Sequence, residues 1–345
     1  MALAPYPWLE DAARELLALK SRLPNAILIH GPAGTGTFDL ARAFAESLLC
    51  ESPLPDGSAC GKCAGCRLVK AGTHPDLRIV VSEYLAGELG LPYQPPENAS
   101  GKTKPSREIR IHQFRALSDF VTMTAHRGGR RAVLVYPADM IRAEAAASLL
   151  KTMEEPPEGL VFVLAADDID AVLPTIRSRA RLLRIGMPDR KQALAWLKTQ
   201  KRIADPEEAL AMAGGAPLLA LKDPSGHTLA PKDQAALKAL LAKGASLSGD
   251  EIVRGYSAGM AIPAVALYFS RWCYDLMRVK CGAEPFYFVH DGEALARIAR
   301  GTSAGRLSSL NAAAAEMRRY AEHPLSPRQV WEGVLILYAH ALGGR

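Results

Sequence analysis

The segment LIHGPAGTGTFDLARAF, residues 28–44, decides the fold. An apolar run ends at a Gly-Pro turn, glycines follow at Gly31, Gly34 and Gly36, and a helical pattern then begins. This is the strand, loop and helix of a phosphate-binding site, in which backbone N–H groups and a helix N-terminus cradle phosphate. The chemistry of the ending is wrong. A working loop closes with Lys, which reaches the β and γ phosphates, and with Ser or Thr, whose hydroxyl holds magnesium. Here Thr37 and Phe38 take those places, and Asp39 follows, bringing negative charge to where phosphate would sit. Losing one charge-assisted phosphate contact costs about 1.5–3 kcal/mol, and the magnesium ligand is lost as well. The loop therefore reads as a strand-to-helix turn with no productive nucleotide binding; residual weak anion binding is the alternative.

A second apolar strand ending in acids should complete such a site. The strand is AVLVY at 132–136, but it runs into Tyr136 and Pro137. Asp139 comes three residues late and reads as an N-cap of the next helix rather than a magnesium ligand.

Outward from this loop, short apolar runs alternate with helical patterns. Strands are expected at 25–30, 77–81, 131–136, 160–166 and 180–185, and helices at 37–49, 108–127 and about 140–153. Most of the strands are continuously apolar, the mark of a parallel sheet covered on both faces. A polar, Pro-rich loop occupies 92–107. After residue 186 the strand signal stops. MPDRKQALAWLKTQ opens a small helical section, and KDPSGHTLAPKDQ at 222–234 is a linker. Beyond it Leu307, Leu310 and Ala314 share one helical face, and Ser326-Pro327 reads as a cap and first-turn pair. The expected organisation is an α/β domain at 1–185 with a cysteine module at about 50–75, a small helical domain at 186–225 and a larger helical domain at 230–345.

With 345 residues, 49% hydrophobic and 23% charged, the chain has the composition of a globular protein. No apolar run approaches the roughly 18 residues that would span a bilayer. The N-terminal pattern is an amphipathic helix carrying Glu10 and Asp11, not a signal peptide, so a cytosolic protein is expected. The net charge of +6 suits a polyanionic partner but is spread over the whole chain.

Four of the six cysteines cluster as C-x9-C-x2-C-x2-C: Cys50, Cys60, Cys63 and Cys66. Four thiolates close a tetrahedral structural zinc site with no position left for water. Another metal, an iron–sulfur cluster or a redox C-x-x-C are the alternatives. His74 reads as a surface turn residue before Pro75, and His30 as a packed strand end. Cys273 and Cys281 read as core residues of a helix.

LPTIRSRARLLRI at 173–185 holds Arg177, Arg179, Arg181 and Arg184. A solvated basic face is the plain reading. The sharper one puts Arg179 at the edge of the sheet domain, where it could meet phosphates bound by a neighbouring subunit.

The degenerate GPAGTG loop, the cysteine insert, SLLKTMEEPPEGLVFVLAADD at 148–168 and LPTIRSRA at 173–180 occur in this order over about 160 residues. Together they resemble the delta-prime subunits of the bacterial DNA polymerase III clamp loader. The resemblance implies an AAA+ fold followed by lid and collar helical domains, in a five-subunit ring that places a sliding clamp on primed DNA. It implies a stator without ATP of its own, not an enzyme as an isolated chain and monomeric when isolated. Such a stator partners gamma/tau and delta subunits in the bacterial cytoplasm and gives Arg179 to the adjacent gamma/tau ATP site. Active members carry Ser-Arg-Cys at this point; here the third residue is Ala180. Their magnesium-binding and catalytic acids would fall at Tyr136 and Pro137, and their γ-phosphate sensor near Ala166. Their lid arginine would fall within 214–220, which has none. The EEPP at 154–157 reads as structural or interfacial. An ATP-hydrolysing subunit with an unusual loop and a metal-handling or redox protein are the rival readings.

Overall fold

The computed structural model describes residues 3–93, 95, 105–127, 129–201, 203–222, 229–257, 259–320 and 326–343. Most of the Pro-rich loop at 92–107 and the centre of the linker at 222–234 lie outside them. The chain forms two compact units, Met1–Gln192 and Ala193–Arg345.

The first unit carries strands β1 (Ala26–His30), β2 (Leu77–Val81), β3 (Arg131–Tyr136), β4 (Leu160–Ala166) and β5 (Arg181–Arg184). They pair in parallel in the order β2-β3-β4-β1-β5. Helices α1 (Glu10–Leu19), α2 (Thr37–Leu48), α3 (Ala64–Lys70), α4 (Glu83–Leu89), α5 (Ile111–Arg115), α6 (Ser118–Thr122), α7 (Ala143–Glu154) and α8 (Pro174–Arg177) connect them. The continuous apolar runs follow from burial on both faces. Along β4, Val161, Val163 and Ala165 join the layer of α1 and α2, while Phe162, Leu164 and Ala166 join that of α5 and α7. The edge strand β5 is exposed except at Leu183, and its terminal arginines discourage pairing with another edge. In this strand order β1 and β4 are neighbours, His30 opposite Ala166. The chain leaves the neighbours β1 and β4 in opposite directions, and the carboxyl ends of strands at such a switch point are where open α/β sheets bind ligands.

One expected helix differs. Residues 108–127 hold the two short helices α5 and α6. Ile109 is held extended by a bridge to Ile141. At the other end the N–H groups of His126 and Arg127 donate to the buried Asp76 carboxylate at 2.8 and 3.0 Å. Both ends are committed to tertiary partners, which override helical propensity.

The second unit is helical: α9 (Arg190–Lys198, entering from the first unit), α10 (Pro206–Met212), α11 (Pro217–Lys222), α12 (Pro231–Leu241), α13 (Gly249–Gly255), α14 (Ile262–Lys280), α15 (Gly292–Arg300), α16 (Ala304–Tyr320) and α17 (Pro327–Ala341). Residues 193–220 have a small apolar cluster of their own, while α12–α17 share a larger one built on Trp272, Trp331 and Tyr338. The polar atoms of these three are paired. Trp272 Nε1 donates to Tyr338 Oη at 2.9 Å, Tyr338 Oη to Leu241 O at 2.7 Å, and Trp331 Nε1 to Ile252 O at 2.8 Å. Leu307, Leu310 and Ala314 are buried on one face of α16, as their spacing predicts. Ser326 takes the N-cap position of α17 without a side-chain hydrogen bond to it. Cys273 is buried, but Cys281 is not a core residue: it lies exposed just past the end of α14. Among the described residues no helix is long and apolar enough to cross a membrane.

Candidate functional site

The degenerate loop joins β1 to α2 at this end of the sheet. Gly36 is the N-cap of α2 at φ +96°, a conformation glycine adopts without strain. A Cβ there would lie 2.8 Å from the Tyr6 ring. Tyr6 stacks on Trp8, ring centroids 5.1 Å apart, and Trp8 Nε1 donates to Thr35 O at 2.8 Å. The N-terminal arm thus packs directly on the loop backbone.

Beneath it two of the replaced positions, Thr37 and Tyr136, share one acid. Thr37 Oγ1 donates to Asp167 Oδ1 at 2.8 Å, and Tyr136 Oη donates to Asp167 Oδ2 at 2.7 Å. The Phe38 and Tyr136 rings pack with centroids 5.0 Å apart. Burial, with the Asp167 charge adding to it, holds the Tyr136 phenol well above its ordinary pKa, so it stays a neutral donor. Asp139 is not an N-cap: its Oδ1 accepts the Asp167 N–H at 3.0 Å, and Arg142 precedes α7. Asp39 accepts a hydrogen bond from Tyr6; burial raises its pKa, while the Tyr6 hydrogen bond and Arg42 oppose the rise. The acid in the phosphate corner is Asp167, directly after β4, which the sequence reading passed over. Its only signal was the Asp-Asp pair closing the strand. His30 ends β1 half-buried, and burial together with Arg184 and Arg177 lowers its pKa.

This arrangement gives a testable outcome. Thr37→Lys restores the missing cation in sequence, yet the new ammonium meets the Asp167 carboxylate first. Calorimetric titration with magnesium–ATP should still give a Kd weaker than about 1 mM, a binding free energy under about 4 kcal/mol. Micromolar binding would contradict the clamp.

The four clustered cysteines converge. Their sulfurs lie within 4.8 Å of one another, with Cys50–Cys63 and Cys60–Cys66 at 3.9 Å. Zinc–sulfur bonds of about 2.3 Å in a tetrahedron put sulfurs about 3.8 Å apart, whereas a disulfide needs about 2.05 Å. Backbone N–H groups point at the sulfurs: Cys60 N to Cys50 Sγ at 3.2 Å, Cys63 N to Cys60 Sγ at 3.3 Å and Cys66 N to Cys63 Sγ at 3.3 Å. The N–H groups of Lys62 and Cys63 pull the Cys60 thiol down to about 6, while burial pushes Cys66 up, a cost that a cation between the sulfurs reverses. The four residues fit a metal ion.

His74 is not a surface residue. It is buried behind the module, with Nδ1 accepting the Asp76 N–H at 3.0 Å and Nε2 facing Gly65. Asp76 in turn gathers the 126–127 backbone, and Arg127 pairs with Glu51 at 2.7 Å. The cysteine module is thereby tied to the start of β2.

Arg179 lies between α8 and the edge strand β5. Its Nε donates to Glu154 Oε1 at 2.6 Å and its Nη2 pairs with the same oxygen, while Nη1 donates to Thr175 O at 3.2 Å. The side chain is 38% exposed. Arg177 faces Asp170 at 4.0 Å, and Arg181 faces Glu15 at 3.8 Å.

A parallel sheet with a phosphate-loop turn whose corner is filled from within, a four-cysteine insert and a helical second unit define an α/β protein of the phosphate-loop class with a degenerate loop. The family model described as DNA polymerase III, delta subunit, matches residues 14–189. DNA polymerase III subunit delta' of Pseudomonas aeruginosa is 32% identical over 300 residues, 84% of this chain and 80% of that protein. Its counterpart in Escherichia coli is 32% identical over 220 residues, 63% of this chain and 60% of its own length. A solved DNA polymerase III gamma subunit-related protein from Thermotoga maritima aligns over 96% of this chain and 99% of its own, at 17% identity and a TM-score of 0.47. The chain belongs to the DNA polymerase III delta' subunit family.

Proposed function

We propose that this chain is the non-hydrolysing stator of its clamp loader. It binds no ATP, braces gamma/tau and delta subunits, and lends Arg179 to the ATP site of the adjacent gamma/tau subunit while the sliding clamp is loaded onto primed DNA. The observation that carries this reading is the Asp167 carboxylate held by Thr37 and Tyr136, which fills the corner where magnesium and the terminal phosphates would lie. In this reading residues 186–225 act as a lid and 230–345 as the collar through which the subunits assemble. Cys50, Cys60, Cys63 and Cys66 would hold a zinc ion, which supplies only structure because thiolates complete its coordination. Contacts with DNA would come through the assembled complex and fall on the phosphate backbone without sequence preference.

The test is a titration of the isolated chain with magnesium–ATP. No saturable binding is expected up to about 1 mM, the level at which a site offers about 4 kcal/mol. Tight uptake followed by turnover would return the chain to the ATP-hydrolysing class.

A further inference from the structure

We infer that Glu154 is a positioning residue for Arg179, fixing how its guanidinium is offered across a subunit interface; this rests on the trans-arginine reading above. Helix α7 ends at Glu154, and Pro156 and Pro157 prevent its continuation. An acid at this place breaks a local rule, because the carboxyl end of a helix is its negative pole and favours cations. Such conflicts between local preference and observed residue concentrate at functional positions. Here the compensation is Arg179, whose Nε–H and one Nη2–H go to Glu154 Oε1. From the other side Nη1 donates to Thr175 O at 3.2 Å and to Ser178 Oγ at 3.3 Å.

The guanidinium is thus held between the carboxyl ends of two helices, α7 and α8. A guanidinium has five N–H donors in a rigid plane. The contacts to Glu154, Thr175 and Ser178 take up four of them and fix the direction of the last, on Nη2. An ordinary exposed ion pair gains little because two long side chains must be ordered to make it. An arginine ordered in advance does not lose that freedom when phosphate arrives, and small errors in placement are costly at a reacting centre.

A latch would behave in the opposite way. Were Glu154 a restraint that keeps Arg179 away from phosphate, its removal would raise turnover by the neighbour; a positioner's removal lowers it. The experiment uses the clamp loader reconstituted with gamma/tau, delta, clamp and primed DNA, with this chain native or carrying Glu154→Ala, Glu154→Gln, Glu155→Ala or Arg179→Ala. Glu154→Ala should lower kcat for DNA-stimulated ATP hydrolysis about tenfold with little change in KM for ATP. Glu154→Gln, which keeps an acceptor oxygen, should fall between Ala and native, and Glu155→Ala should match native. If Arg179→Ala reduces turnover while Glu154→Ala leaves it unchanged or raises it, the positioning role is wrong and the trans-arginine reading stands. Loss of assembly by Glu154→Ala on gel filtration would equally overturn it, by making Glu154 an interface residue. An unchanged Arg179→Ala complex would remove the trans-arginine reading itself.

Discussion

Under the proposed stator role, replacing Arg179 by alanine is expected to leave assembly with gamma/tau and delta intact and to slow ATP hydrolysis at the adjacent gamma/tau site by about 10³-fold, the lower range for an arginine supplied across an interface. The fold should not notice. Arg179 and Glu154 are 38% and 49% exposed, and an ion pair this open to water contributes about 0–1 kcal/mol after solvent screening. The chemistry should notice, because phosphoryl transfer depends on cations placed where charge is spread over the transferring group. Single-turnover hydrolysis separates this site from any others in the ring, and clamp loading on primed DNA should fall with it. Arg179→Lys should recover only part of the rate: the charge remains, but a lysine has no planar fork to be held by Glu154 and Thr175 together. If hydrolysis and loading both matched native, Arg179 would be a surface residue and nothing more.

The parts of the sheet unit that could be read from sequence are those in which one physical demand fixes many residues at once. Strands β3 and β4 match their expected limits because both faces are buried and nearly every residue along them must be apolar; Arg131 at the start of β3 is buried with its guanidinium donating to Phe120 O and Val121 O. The four cysteines were legible as one cluster because three of them fall within the seven residues 60–66 and the fourth lies just before them. The departure from a nucleotide-site pattern was legible at residues 37, 38, 136 and 137. Its mechanism was not. Asp167 follows β4 in sequence, but its partner Thr37 opens α2 and Tyr136 ends β3, and only the crossing order of the sheet makes the three neighbours. The same holds for Glu154, which EEPP marked as a helix end and the fold brings to Arg179. Long-range pairing also explains the errors. Asp139 has the spacing of a cap but is drawn to the Asp167 N–H. His74 sits in a turn sequence but is covered by the cysteine module. Residues 108–127 have helical composition but both ends are pinned elsewhere.

Metal analysis of the native chain should find about one zinc per chain, and its removal should melt the cysteine module while sparing the sheet. Between Glu51 and Lys62 only Ser58 is buried, so this stretch adds no fully buried apolar side chain to the core. The remaining anchors are polar: Lys20 Nζ donates to Gly57 O at 2.7 Å and to Ser47 O at 2.9 Å, and Asp56 Oδ1 accepts from Ser58. Helix α3 has seven residues, too few to persist without tertiary support. By contrast β1, β3 and β4 are buried between two apolar layers that contain no cysteine ligand apart from the neighbourhood of Leu49 and Val69. Amide hydrogen exchange after chelation should therefore rise about 100-fold or more over 50–71, with the three strands still protected. Cys66→Ser should reproduce this without chelator, since it removes the buried ligand at the start of α3. The Glu51–Arg127 pair should weaken in turn, loosening the 126–127 segment on Asp76 next to β2. A redox role requires two sulfurs now 3.9 Å apart to close to about 2.05 Å, and would appear as a reversible loss of thiols with no metal released. A reduced, metal-free chain with native protection over 50–71 would mean that the backbone alone holds the four sulfurs together.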